Sequence, residues 1–167
     1  RVGFLPPRRS SELPAVGPGT RYLLAQPFLG ETAKALERRG AIRLDAPFPL
    51  GEEGTTAWLA AAAREFDVLP ADFERVTARG RERARAALGP LREVLDGKSL
   101  FLFPDSQLEP ALARFAAREL GMIPLEVGTP YLHREHLDHE LPMLPDSVRL
   151  SEGQDVERQL DRCRAAE

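Results

Sequence analysis

Ser99-Leu100-Phe101-Leu102-Phe103-Pro104-Asp105-Ser106-Gln107-Leu108-Glu109 reads as a strand, a turn and the start of a helix. The run 99–103 is continuously apolar, as expected of a parallel strand covered on both faces. Asp105 or Ser106 is predicted to open a helix that Gly121 closes, and Ser106-Gln107-Leu108-Glu109 has the S-x-x-E spacing of a capping box. The turn falls at the carboxyl end of a parallel strand, where α/β folds bind ligands. Its backbone N–H groups suit an anion, although a purely structural cap already occupies a Ser or Asp at this position fully.

The same alternation continues outward in both directions. Downstream, 122–127 is a further strand, 128–145 is irregular with a helical turn or two at its histidine-rich centre, 148–150 is a short strand and 153–164 a helix. Upstream, strands are expected at 2–5, 21–25 and 41–44. Leu29, Ala33 and Leu36 give 29–39 a helical face, and Gly40 stops it. Residues 47–54 form a turn leading into an Ala-rich helix over 55–66 with Trp58 and Leu59. Pro70 opens a long helical region to about Leu95, predicted to be broken or kinked at Gly80, Gly89 and Pro90. Its apolar face carries Phe73, Val76, Ala84, Ala87, Leu88, Leu91 and Leu95.

Short apolar runs alternating with amphipathic helices define an α/β fold, with parallel sheets and flanking helices. The break at Gly97-Lys98 divides it: 1–96 as the end of one Rossmann-like domain plus a helical connection, 97–167 as the beginning of the next. The second piece has only two clear core strands, too few for a stable parallel sheet. With Arg1 in place of Met and a helical pattern still running at Glu167, this predicts a chain cut from a longer one.

Of the 167 residues, 43% are hydrophobic and 29% charged, which suits a packed core rather than disorder. The net charge of −3 is mixed along the chain, as in Arg81-Glu82-Arg83, and speaks against a nucleic-acid-binding face. No apolar run is long enough to span a bilayer and no signal peptide is visible, so a cytoplasmic location is expected. One cysteine, Cys163, excludes an internal disulfide and cannot hold an iron–sulfur cluster alone. Arg162 and Arg164 flank it, but no base or resolving cysteine is nearby.

Two other stretches invite chemistry. Gly51-Glu52-Glu53-Gly54-Thr55-Thr56 is a glycine-bounded turn at a helix start. It lacks the lysine of a P-loop, and its glutamates repel phosphate while complementing the helix dipole. His133, His136 and His139 are all the histidines of the chain. Their i, i+3, i+6 spacing swings the third away from the first, so a solvated segment is expected rather than a zinc site. Nucleophile-elbow, H-E-x-x-H, Walker and G-x-G-x-x-G motifs are all missing.

Gln26-Pro27-Phe28-Leu29-Gly30-Glu31-Thr32, Pro47-Phe48-Pro49 with Gly51 to Thr56 and Trp58-Leu59, and Phe101 to Glu109 recur in one family, as do Thr129-Pro130-Tyr131-Leu132-His133 and Ser151-Glu152-Gly153-Gln154-Asp155. Together they closely resemble the N subunits of light-independent (dark-operative) protochlorophyllide reductases, in the nitrogenase MoFe-like family. The resemblance runs through the whole chain and corresponds to less than half of such a subunit. It implies Rossmann-like domains and an N2B2 heterotetramer with B subunits. A [4Fe–4S] cluster would lie at the N/B interface, and an ATP-hydrolysing L protein would deliver electrons. The reaction implied is reduction of the C17=C18 bond of protochlorophyllide to chlorophyllide a.

The family's cluster cysteines lie upstream of this segment, and Cys163 matches none of them. No catalytic, cofactor-binding or metal role therefore passes to any residue here, and the fragment alone is expected to be inactive. The surfaces expected to face an inter-domain cleft are Phe48, Gly51, Glu52, Gly54 and Thr55 on one loop and Asp105, Ser106 and Gln107 on the other. Competing readings are a chlorophyllide reductase subunit, a non-catalytic α/β interaction module, and a metalloprotein using His133 and His136.

Overall fold

The computed structural model describes residues 15–166. The strand expected at 2–5 lies outside them. β1 (Arg21–Tyr22) and β2 (Ile42–Arg43) form a short parallel pair, crossed by α1 (Gly30–Glu37). Gly40, at φ +89°, turns the chain back into β2 at little cost, as only glycine does readily. Then come α2 (Gly51–Glu65) and α3 (Pro70–Leu95). The second sheet is parallel, in the order β3 (Ser99–Leu102), β4 (Ile123–Thr129), β5 (Arg149–Glu152). α4 (Glu109–Leu120) crosses from β3 to β4. α5 (Arg134–Leu137) and a 3-10 turn at Leu141–Met143 lie between β4 and β5, and α6 (Val156–Ala165) follows.

The α/β reading holds, with four local corrections. α2 begins at Gly51 rather than Thr55, so the glycine-bounded stretch is its first turn. α4 begins at Glu109, because Gln107 takes a left-handed φ of +70° that a helix cannot include. α3 is one helix of 26 residues despite Gly80, Gly89 and Pro90. Pro90 is exposed, so water can reach the carbonyl its missing N–H would have bonded. β3 is half-covered rather than buried on both faces, since it is an edge strand here; the central strand β4 is the buried one.

The apolar stripe of α3 divides in two. Phe73, Ala84, Leu88 and Leu95 are half-buried. Val76 and Leu91 remain 71% and 51% exposed, and no residue of α3 is fully buried. β5 supplies the second sheet with a third strand beyond the two that the sequence made clear.

The main apolar cluster draws on both halves of the chain. Leu24, Ala33 and Phe48 pack with Ala111, Leu132 and Leu137. A second cluster, Ala113, Val127 and Leu144, lies under the three-stranded sheet. α4 contributes Ala111 to one and Ala113 to the other, so it is the wall common to both. Among the described residues, no helix is long and apolar enough to cross a membrane.

Phe48 is the largest apolar side chain fully enclosed in the shared cluster. Phe48→Ala is expected to lower the unfolding free energy by about 3–5 kcal/mol, read from the urea midpoint. A loss under about 1 kcal/mol would mean that the cluster collapses around the gap.

Candidate functional site

The 48–55 stretch, which runs into the first turn of α2, is built on α4. Arg114, wholly buried, donates from Nε to Glu140 Oε2 at 2.7 Å and from Nη2 to the carbonyls of Phe48 and Leu50 at 3.0 and 3.1 Å. Glu140 is equally buried, and its other oxygen accepts the Phe48 N–H. Gly54 lies against the guanidinium so closely that a Cβ would overlap Arg114 Nη2 and the Phe48 carbonyl. One turn further along α4, Glu119 accepts the N–H groups of Glu52 and Glu53. These are free donors at the start of α2, whose own N-cap, Leu50, offers no side chain. Gly51, at φ +72°, leaves room for that carboxylate where a Cβ would meet it. The two glycines of the 51–54 stretch are therefore fixed by Arg114 and Glu119.

The second loop is closed by its own glutamate. Glu109 Oε1 accepts the N–H groups of Asp105 and Ser106 at 2.7 and 2.6 Å. This is the backward half of a capping box. The forward half is missing, because Ser106 Oγ accepts only the Leu108 N–H, at a long 3.4 Å. The donors that suited an anion are thus occupied by an internal carboxylate. Phe48 and Gly54 are brought together at Arg114, and Gly51 lies against Glu119. Asp105, Ser106 and Gln107 gather at the first turn of the same helix. Thr55, in the first turns of α2, and Asp105 are the exposed members of the two stretches.

Glu52 and Glu53 face a cleft of about 830 Å³ between α2, α3 and α4. Arg81 Nε donates to Glu52 at 2.8 Å and Arg85 Nη2 at 3.0 Å, while Arg118 forms a two-pronged pair with Glu53. Burial works to raise the Glu52 carboxyl, but the bonds from Arg81 and Arg85 outweigh it and the net shift is downward. Arg118 holds Glu53 below the usual carboxylate range. Burial pushes Glu119 up, against the two N–H bonds it accepts and the charge of Arg114. Across the second sheet, Arg162 chiefly depresses Glu126, helped by the Ser151 hydroxyl.

The three histidines do not share one site. His133 and His136 stack with ring centroids 5.4 Å apart beside Gly30, and Tyr131 meets His133 edge-on at 4.5 Å. His136 Nδ1 lies 2.9 Å from the Pro27 carbonyl. Burial lowers the His133 pKa, with the charge of His136 adding to it. His139 stands apart, beside Asp45 and Asp138. Cys163 is a free, half-buried thiol on α6.

Arg114, Glu119 and Glu140 went unnoticed in the sequence. The one available signal was a charge set among small apolar residues, since Arg114 interrupts Ala111, Ala113 and Ala116 on the buried side of α4.

The profile of the nitrogenase component 1 type oxidoreductases matches residues 2–167. The chain is 67% identical over 166 residues to the light-independent protochlorophyllide reductase subunit N of Rhodospirillum rubrum, covering 99% of this chain and 38% of that protein. It is 68% identical to the subunit N of Bradyrhizobium sp. strain ORS 278, covering 99% and 39%. It is 62% identical to that of Rubrivivax gelatinosus, with the same coverage. The chain therefore spans under two fifths of the length of these curated relatives.

Removing Arg114 strands Glu140 as a buried, uncompensated charge. Arg114→Met is expected to cost about 3–5 kcal/mol, and Arg114→Met with Glu140→Leu to recover much of it; equal losses in the two variants would show that the pair is not coupled. The depressed carboxyls of Glu52, Glu53 and Glu126 add stability above the ordinary carboxylate range, which is lost as pH falls through their lowered values. Glu119 has the opposite sign: its contribution is present below its ordinary value and is lost as pH rises through its raised one. Three groups against one predict a net fall in melting temperature below about pH 4, and Glu126→Gln should flatten part of that acid limb.

Proposed function

The chain belongs to the nitrogenase component 1 type oxidoreductase family, and from that premise we propose that it is part of the N subunit of a light-independent protochlorophyllide reductase. Identity of 62–68% over 99% of the chain to proteins of that name carries the reading. The complete protein would pair with B subunits in an N2B2 heterotetramer and receive electrons from an ATP-hydrolysing L protein, in the cytoplasm. Two electrons and two protons would add across C17=C18 of protochlorophyllide to give chlorophyllide a.

The share of this segment in that reaction is positional. Its single cysteine sits on α6 beside arginines, with no other thiol to complete a cluster. The [4Fe–4S] cluster of the complex would rest on residues outside these 167. We assign residues 1–96 and 97–167 to parts of two consecutive Rossmann-like domains. Thr55 and Asp105, with the stretches that carry them, would face the cleft between domains. Arg114 and Glu119 would hold the first loop at a fixed height on α4, and Glu109 the second. A pocket for a large planar pigment needs such fixed walls, because small displacements of bound groups cost large factors in rate.

The test is dark reduction of protochlorophyllide by the full-length parent, assembled with B and L subunits and supplied with ATP and a reductant. ATP-dependent formation of chlorophyllide is expected. An assembled, cluster-loaded complex that makes none would favour a chlorophyllide reductase or a non-catalytic interaction module. For the cleft, Thr55→Lys with Asp105→Lys should lower turnover by roughly tenfold or more with assembly intact. Unchanged pigment binding and turnover would remove both loops from it.

A further inference from the structure

Where β2 ends and α5 ends, three groups of metal-ligating chemistry converge from distant parts of the sequence. Asp45 leaves β2, Asp138 caps α5, and His139 follows it. His139 Nε2 is 3.7 Å from Asp45 Oδ1 and 3.8 Å from Asp138 Oδ2, and the three ligand atoms all lie within 4.8 Å of one another. They are the only such group among the described residues. The distances are too long for hydrogen bonds. They are close to what a shared cation requires, since ligands at about 2.0–2.2 Å from a tetrahedral zinc stand roughly 3.3 Å from each other. Small rotations of three partly exposed side chains close the difference.

A second observation comes from the imidazole. His139 Nε2 is sealed from solvent and has no hydrogen-bond partner, although much of the ring is exposed. A buried ring nitrogen left unpaired is costly. Here it is directed at two carboxylate oxygens and shares a proton with neither.

Arg43 argues against a cation and sets its strength. Its Nη2 is 3.8 Å from Asp45 Oδ1 and 3.5 Å from Asp138 Oδ2, while its Nη1 is tied to the Glu135 carbonyl at 2.8 Å. It neutralises one of the two carboxylates without hydrogen-bonding either. One negative charge, the imidazole nitrogen and a position open to water remain for the ion.

We propose that Asp45, Asp138 and His139 form a binding site for one zinc-class divalent cation, bound with modest affinity. Imidazole with two carboxylates and no thiolate suits Zn²⁺ or Mn²⁺ rather than a soft ion. The adjacent Glu140 already bonds the Phe48 N–H and Arg114, so the ion would staple β2 to the α5 turn at the joint Arg114 holds. This inference does not rest on the reductase reading.

The test is zinc titration of the full-length parent protein, produced without a polyhistidine tag, with bound metal counted after dialysis. One zinc per chain is expected, together with a rise in melting temperature on zinc addition. His139→Gln and Asp138→Asn should each weaken binding by about tenfold or more, His133→Gln should leave it unchanged, and Arg43→Gln should tighten it. Anomalous scattering at the zinc edge would locate the ion whatever the variants' stability. No zinc above the level of His139→Gln, equal dependence on His133, or an ion found elsewhere would overturn the site and leave an ion-pair cluster only.

Discussion

A single guanidinium fixes how the halves of this chain meet. Arg114 cannot stay charged in a sealed interior without partners, since the desolvation of an unpaired charge there costs several kcal/mol. Its three acceptors come from two places: Glu140 after α5, and the carbonyls of Phe48 and Leu50 before α2. Each is satisfied only when the loop, the helix and the α5 turn are all in register. Apolar packing alone tolerates sliding; this network does not. Net stabilisation from a buried ion pair is small or negative compared with well-packed apolar groups, so its contribution here is to select one arrangement.

The start of α2 follows from the same geometry. A helix needs acceptors for its first free N–H groups, and Leu50 has none to give. Glu119 provides them from another helix, at the cost of a carboxylate whose own burial favours protonation. With that position filled, Glu52 and Glu53 turn outward to Arg81, Arg85 and Arg118. α3 is thus placed against α2 by partly exposed ion pairs and a half-buried face. Such pairs are individually weak, of order 1 kcal/mol or less.

Local periodicity made much of this fold legible. The alternation of apolar runs with amphipathic segments, and the stops at Gly40 and Gly121, gave the elements in order and nearly in place. Boundaries failed where a long-range partner decided them. The 51–54 stretch looked like a turn because its glycines and acids are turn-like, and nothing nearby in sequence announces Glu119. α4 starts late because Gln107 has a left-handed φ that a helix cannot include. In α3 the stripe included Val76 and Leu91 because hydrophobicity shows which residues can be buried, not what stands beside them. The family was legible from short signatures, whereas Arg114 needed the structure.

The placement of the histidines sharpens this contrast. Spacing along a helix excludes the first and third of an i, i+3, i+6 set from one face, and His133 and His139 do lie apart. That argument is silent on partners from elsewhere in the chain. His136 is occupied by the Pro27 carbonyl and stacked on His133, so the pair that looked most like a ligand set is engaged in packing. His139, the residue that helical spacing discards, is the one that meets carboxylates, because the segment after α5 is held down by Glu140 on Phe48 and Arg114. A residue placed for one reason thereby acquires neighbours that its own sequence context does not specify. The same network that determines how the loops sit also determines which histidine has chemistry within reach.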